Sequence, residues 1–139
     1  MDDGPEPDEP NEPPADVAEL AGRLFDLARD GEAATLTAYV DAGVPVNLTN
    51  DAGDTLLMLA AYHGHADTVR ALVARGADVD RRNDRGQSPL AGAVFKGEDD
   101  VVRALAEAGA DPLAGHPTAV DTARMFGRDD LLVVLSPPV

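Results

Sequence analysis

The sequence predicts an all-α solenoid of four helix–turn–helix units joined by β-turn fingers. Three observations predict it. Between Gly53 and Asp80 (GDTLLMLAAYHGHADTVRALVARGADVD) apolar residues fall at helical spacing in two short runs, Leu56, Leu57, Leu59 and Ala60 in the first and Val69, Leu72 and Val73 in the second. Gly64 and Gly76 stand where each run should stop, because glycine takes the left-handed C-cap conformation without steric cost. The unit then recurs: 33 residues on, Gly53 falls on Gly86, Gly64 on Gly97, Val69 on Val102, Leu72 on Leu105, and Gly76-Ala77-Asp78 on Gly109-Ala110-Asp111. The same step backwards puts Gly64 on Gly31, Val69 on Leu36 and Gly76 on Gly43.

A period of 33 residues carrying two helices is the spacing of the ankyrin repeat, and the residues resemble that family directly. The resemblance rests on Asp54-Thr55-Leu56-Leu57-Met58-Leu59-Ala60-Ala61, on Gly64-His65, on Gly76-Ala77-Asp78-Val79-Asp80, and on Ser88-Pro89-Leu90 in the following copy. It covers roughly residues 18 to 136 and is to a small, four-repeat bacterial member. It implies a non-enzymatic protein-interaction module without cofactors.

The first helix is expected to open at Asp16 as N-cap, with Glu19 in capping-box register, and to bury Val17, Leu20, Leu24, Leu27 and Ala28. This first unit has Gly22-Arg23-Leu24 where the family starts with Thr-Pro-Leu, so it reads as an N-terminal cap; its second helix carries Leu36, Tyr39 and Val40. In the fingers, Asp51 and Asp84 hold equivalent positions and are expected to accept local backbone N–H bonds. The family's histidine is replaced by Met58 and Ala91, which leaves these turns dependent on Thr55 and Ser88. The third finger is shorter, contains Pro112, and should turn at Gly115; the last unit starts at Thr118, breaks at Gly127 and ends after Leu135. Asp99-Asp100 and Asp129-Asp130 open second helices, where carboxylates favour the positive end of the helix dipole. The resulting division is a tail over 1–14 and a repeat domain over 15–136, with units at about 15–49, 50–82, 83–114 and 115–136.

Size and composition agree with this plan. At 139 residues the chain suits one domain, and an aromatic content of 4% leaves Leu, Val and Ala to build the core. That suffices in a stack where each unit buries its apolar face against a neighbour. The absence of cysteine removes disulfide and thiol chemistry. No cationic start precedes an apolar run and no segment reaches membrane-spanning length, so a cytoplasmic, soluble protein is expected. Ten of the eleven basic residues are arginine, which points to a GC-rich genome.

The formal charge is −15; residues 1–16 hold seven acidic groups and no basic one, leaving −8 for the rest. Neither part suits phosphate binding, which needs clustered Lys and Arg, so nucleic acid and anionic membranes are not expected partners. Residues 1–14 intersperse Pro5, Pro7, Pro10, Pro13 and Pro14 with acids and read as a disordered, solubilising tail. The alternative is an acidic inhibitor, antitoxin-like, whose tail occupies a basic site on an enzyme or a nucleic-acid-binding protein.

Catalysis needs a converging set of groups, and none is legible. His63 and His65 stand two apart without a third metal ligand, and the family uses the His65 position structurally. Asp78-Val79-Asp80 begins like a calcium loop, but Arg82 occupies the next ligand position. No carboxylate pair sits in an apolar run that would raise its pKa. The glycines follow the repeat period and do not form a phosphate cradle.

The surface positions carry more. In the family, the two residues before the inter-helix glycine face partners; here the first reads Arg29, Tyr62, Phe95, Met125 and the second Asp30, His63, Lys96, Phe126. Of the chain's five Tyr and Phe residues, three fall in these slots. With stacked helices about 8–10 Å apart, the row should extend roughly 25–30 Å. Aromatic and Met anchors on a rigid surface are the groups that carry binding energy. The competing reading packs them over neighbouring units. Arg82, Arg85 and Gln87, beside Arg81 on the second finger, complete the candidate partner-binding set, with solvated turn arginines as the alternative. Val133 stands where Arg70 and Arg103 face water, so a monomer with weak self-association through the last helix is expected.

Overall fold

The computed structural model describes residues 15–136; the readings of the acidic tail and of Pro137 and Pro138 lie outside them. Eight helices follow in order: α1 (Ala15–Asp30), α2 (Ala33–Asp41), α3 (Leu56–Tyr62), α4 (Ala66–Val73), α5 (Pro89–Lys96), α6 (Asp99–Glu107), α7 (Ala119–Met125) and α8 (Asp129–Leu135). Odd-numbered helices stack as an inner layer and even-numbered ones as an outer layer, and each inner helix packs on the outer helix that follows it. Helices of seven to nine residues are too short to persist alone in water, so the contact between layers holds them.

The core runs unbroken through the stack. Leu24, Leu36, Leu57, Leu72, Leu90, Leu105 and Leu131 are all fully or almost fully buried, at the positions the period marks. Helix α3 departs from the amphipathic pattern: every residue from Leu56 to Ala61 is buried, Met58 and Ala61 included. It is enclosed by α1, α4 and α5, and a helix covered on all sides has no solvent stripe to keep polar. Thr55, Ser88 and Thr118 cap α3, α5 and α7, their hydroxyl oxygens accepting from the N–H groups of Met58, Ala91 and Asp121 at 3.0–3.1 Å. Gly64 and Gly76 close their helices at φ +83° and +91°, the left-handed conformation that sequence reading assigns them.

Three local expectations are corrected. Asp16 lies within α1, which already includes Ala15, and so is not its N-cap. Val17 is 51% exposed where the stripe would bury it, because α1 begins before α3 does and its first turns overhang the stack; Phe25 is buried instead. In the fingers the side chains that gather backbone N–H groups are Asn50 and Asn83, not Asp51 and Asp84: Asn50 Oδ1 accepts from Ala52 and Asp54, and Asn83 Oδ1 from Arg85 and Gln87, each at 3.0 Å. The asparagines sit two and four residues before their donors, which is the geometry this turn presents.

Neighbouring units are tied by a repeating set of bonds. Asn47 Oδ1 accepts from the Asp78 N–H and Asp80 Oδ1 from the Asp111 N–H, the same bond one period apart. The Asp84 N–H donates to the Ala52 carbonyl and the His116 N–H to the Gly86 carbonyl, locking finger to finger. His65 donates from Nε2 to the Arg29 carbonyl at 2.6 Å, its ring lying where a Cβ on Gly31 would stand. Arg75 grips Asp41 with two bonds, at 2.8 and 3.1 Å, and holds that carboxyl below its ordinary pKa. Arg128 does the same between the last two units, reaching Asp99 at 2.7 Å and Asp130 at 2.8 Å; its hydrogen bond lowers the Asp130 carboxyl to about 2. These bonds fix the register in which the inner helices present their ends.

Candidate functional site

The side chains just before the inter-helix glycines lie at the surface. Tyr62 is 37%, Phe95 60%, Met125 68% and Phe126 49% exposed. They stand at the ends of α3, α5 and α7, where the last turn of each helix clears the buried stripe. The rings of Phe95 and Phe126 meet edge-on with centroids 5.7 Å apart, joining the third unit to the fourth. Lys96 places Nζ 4.6 Å from the centre of the Tyr62 ring, a cation–π contact joining the third unit to the second. His63 meets Tyr62 edge-on.

Between these ends and the second finger runs a groove of about 200 Å³, walled by Met58, Tyr62, Gln87, Phe95, Pro117 and Met125. A second hollow of about 190 Å³ continues it toward the finger, sharing Met58, Tyr62 and Gln87 and adding Asp54, Leu59, Asn83 and Arg85. Gly92 opens the floor: a Cβ there would lie 3.7 Å from the Tyr62 ring, and any longer side chain would project into the groove. Glycine inside a helix costs about 1 kcal/mol relative to alanine, so this position gives up helix stability where the helix lines the groove.

The sequence-predicted residues divide into three sets. Tyr62, Gln87, Phe95 and Met125 come together as groove walls, and Arg85 lines the adjoining hollow. Lys96, His63 and Phe126 border them through ring contacts. Arg29 stands apart, paired with Asp26 at 2.9 Å, and Arg82 is exposed on the finger outside the walls. Met58, Gly92 and Pro117 escaped sequence reading. Gly92, a glycine inside an apolar helical run, was the legible signal. Pro117 reaches the groove from a finger that breaks the period.

Charge is distributed unevenly around this groove. Arg29, Arg70, Arg75, Arg103, Arg124 and Arg128 each have a carboxylate within 4.0 Å. Among the described residues no carboxylate pairs with Arg23, Arg81, Arg82, Arg85 or Lys96, and the last four belong to the finger and the helix end that flank the groove. The chemistry on offer is apolar in the groove, with Lys96 beside it and Arg85 in the adjoining hollow, where the Asp54 carboxylate accepts from Asn83. Among the described residues no group of three His, Cys, Asp or Glu side chains is placed to hold a metal, and no helix is long and apolar enough to cross a membrane. His65 is engaged by the Arg29 carbonyl, which separates its role from that of His63.

Comparison with known proteins places this architecture. The family described as ankyrin repeats (3 copies) matches residues 24–115. An ankyrin repeat protein of Pseudomonas aeruginosa is 46% identical over 63 residues, 45% of this chain and 34% of that protein. The crystal structure of the human ASB11 ankyrin repeat domain superposes with a TM-score of 0.70 at 27% identity, over 81% of this chain and 52% of that one. The chain thus corresponds to about a third of the curated relative and about half of the solved domain.

Proposed function

The chain belongs to the ankyrin-repeat family, and from that premise we propose that it is a binding module whose partner docks on the groove between Tyr62, Phe95 and Met125. Ankyrin repeats are generally protein–protein interaction modules. The observation that carries this reading is the row of large apolar side chains left at the surface at the ends of α3, α5 and α7, although α3 and α5 bury almost all their other residues. Exposed apolar surface bordered by charge is how interaction sites are built. The mechanism is rigid display: helix stacking fixes the rings, so docking immobilises few additional side chains and loses little entropy.

Gly92 gives the test. In Gly92→Leu the new side chain fills the groove without removing a ring. Partner capture from the native cell extract, compared by mass spectrometry between wild type and variant, should lose its specific protein while the melting temperature holds. Equal capture by both chains would refute the groove as the docking site.

A further inference from the structure

The groove is apolar in its walls, and four of the five cations without a carboxylate partner among the described residues belong to the finger and helix end beside it, in a molecule of formal charge −15. Arg81, Arg82 and Arg85 stand on the finger and Lys96 at the end of α5. Arg23, the other unpaired cation among the described residues, shares its surface with Glu19 and Asp26 and has no aromatic wall beside it. An occupant suited to the groove therefore brings carboxylates to both flanks and a stiff apolar stretch between them.

Residues 1–14 of this chain, MDDGPEPDEPNEPP, have that chemistry. They carry Asp2, Asp3, Glu6, Asp8, Glu9 and Glu12 with five prolines and no basic residue. Proline-rich segments favour polyproline II, a conformation already extended before binding, and such segments dock in aromatic-lined grooves. We propose that this acidic, proline-rich segment folds back as the groove's resident occupant, its prolines against Tyr62 and Phe95 and its carboxylates against Arg85 and Lys96. The inference rests on the groove being a binding surface and adds what fills it when no partner is present.

The geometry permits it. By the 33-residue period Leu56, the first residue of α3, aligns with Arg23, and α1 begins eight residues earlier at Ala15. Tyr62, at the far end of α3, aligns with Arg29, fourteen residues beyond Ala15, so the axial distance to the rings is about 21 Å at 1.5 Å per residue. Crossing from α1 to α5 is roughly 20 Å sideways at 8–10 Å per helix, so the diagonal from Ala15 to the Phe95 end of the groove is about 29 Å. Fourteen residues of polyproline II reach about 43 Å at 3.1 Å each. The tether holds the segment near the groove at an effective concentration on the order of mM, so individually weak contacts suffice for occupancy. A partner must then displace the segment, and the groove is reserved for ligands that outcompete it.

The full chain supplies the test. It has no cysteine, so Gly4→Cys gives one attachment point for a nitroxide, whose effect on amide resonances reports what the segment approaches. The expected result is selective broadening of Gln87, Gly92 and Phe95 at low salt. It should disappear at about 1 M salt, where the Debye length is about 3 Å, and in Arg85→Glu with Lys96→Glu, whose side chains are exposed and whose melting should match wild type. Absence of selective broadening, broadening centred on Arg23, or broadening that survives both treatments would overturn the proposal. So would a signal seen only when nitroxide-bearing chains are mixed with isotope-labelled, untagged ones, which would assign the occupant to a second copy. None of these failures bears on the Gly92→Leu capture experiment, so the two readings fail separately.

Discussion

The two central inner helices, α3 and α5, and the outer helices that follow them, α4 and α6, solve the same packing problem and finish their surfaces differently. Outer helices α4 and α6 bury Val69, Leu72, Val102 and Leu105, and on the water side each carries an i,i+3 pair, Asp67–Arg70 at 3.6 Å and Asp100–Arg103 at 3.8 Å. Inner helices α3 and α5 bury almost everything, yet leave Tyr62, Phe95 and Lys96 outward without a carboxylate partner. Solvation alone would favour the outer solution on both sides, since short local ion pairs keep a surface soluble at small cost. Four of the seven exposed large apolar side chains among the described residues, Tyr62, Phe95, Met125 and Phe126, and four of the five unpaired cations, Arg81, Arg82, Arg85 and Lys96, gather at the inner-helix ends and the finger beside the groove; Val17, Leu113, Val133 and Arg23 lie elsewhere.

The sharpest way to test that division is to damage each side. Leu72→Ala empties the fully buried heart of α4 and should destabilise by about 2–5 kcal/mol. Denaturant unfolding checks this; a smaller loss would mean that the outer helix packs through another face. On the inner side, Tyr62→Ala with Phe95→Ala should weaken partner binding by about 30-fold or more, the scale of one lost hot spot of about 2 kcal/mol. Melting should be unchanged. A collapsed melt would show the rings to be structural, whereas Arg70→Ala with Arg103→Ala should alter neither binding nor melting. Thr55→Ala removes the α3 cap and should cost roughly 1 kcal/mol, read as a shift in the unfolding midpoint.

What was legible in the sequence follows the same division. The core and the caps repeat, so a shift of 33 residues exposed Leu57 and Leu90, Val69 and Val102, Thr55 and Ser88 together. The aromatic row was legible for the same reason. Features that depend on one unit were not. Asn50 and Asp51 are both chemically able to gather backbone N–H groups, and only the position of the turn selects the asparagine. Phe25 is recruited into the core although it lies beside the predicted stripe, because α1 packs against both α2 and α3. The groove exists because Gly92 lacks a side chain and the shortened third finger brings Pro117 inward, neither of which the period contains. The bonds from Arg75 to Asp41 and from Arg128 to Asp99 cross between units at separations no local pattern marks.

The last of these clamps gives the smallest effect and the most specific signature. Asp130 lies in the first turn of α8, exposed, with its carboxyl lowered to about 2 chiefly by the Arg128 hydrogen bond. A folded-state pKa below the unfolded value of 3.8 means that the unfolded chain binds the proton first as pH falls. The stabilisation is therefore complete above about pH 4 and is lost as pH drops through about 2. Asp130→Asn removes the titrating group, so variant and wild type should differ in unfolding midpoint at neutral pH and converge near pH 2. Asp41, lowered by Arg75 in the same way, remains in the variant and preserves part of the acid sensitivity. Convergence ties the difference to the charge on Asp130, whereas a constant offset down to pH 2 would mean that the aspartate acts through helix geometry and not through Arg128.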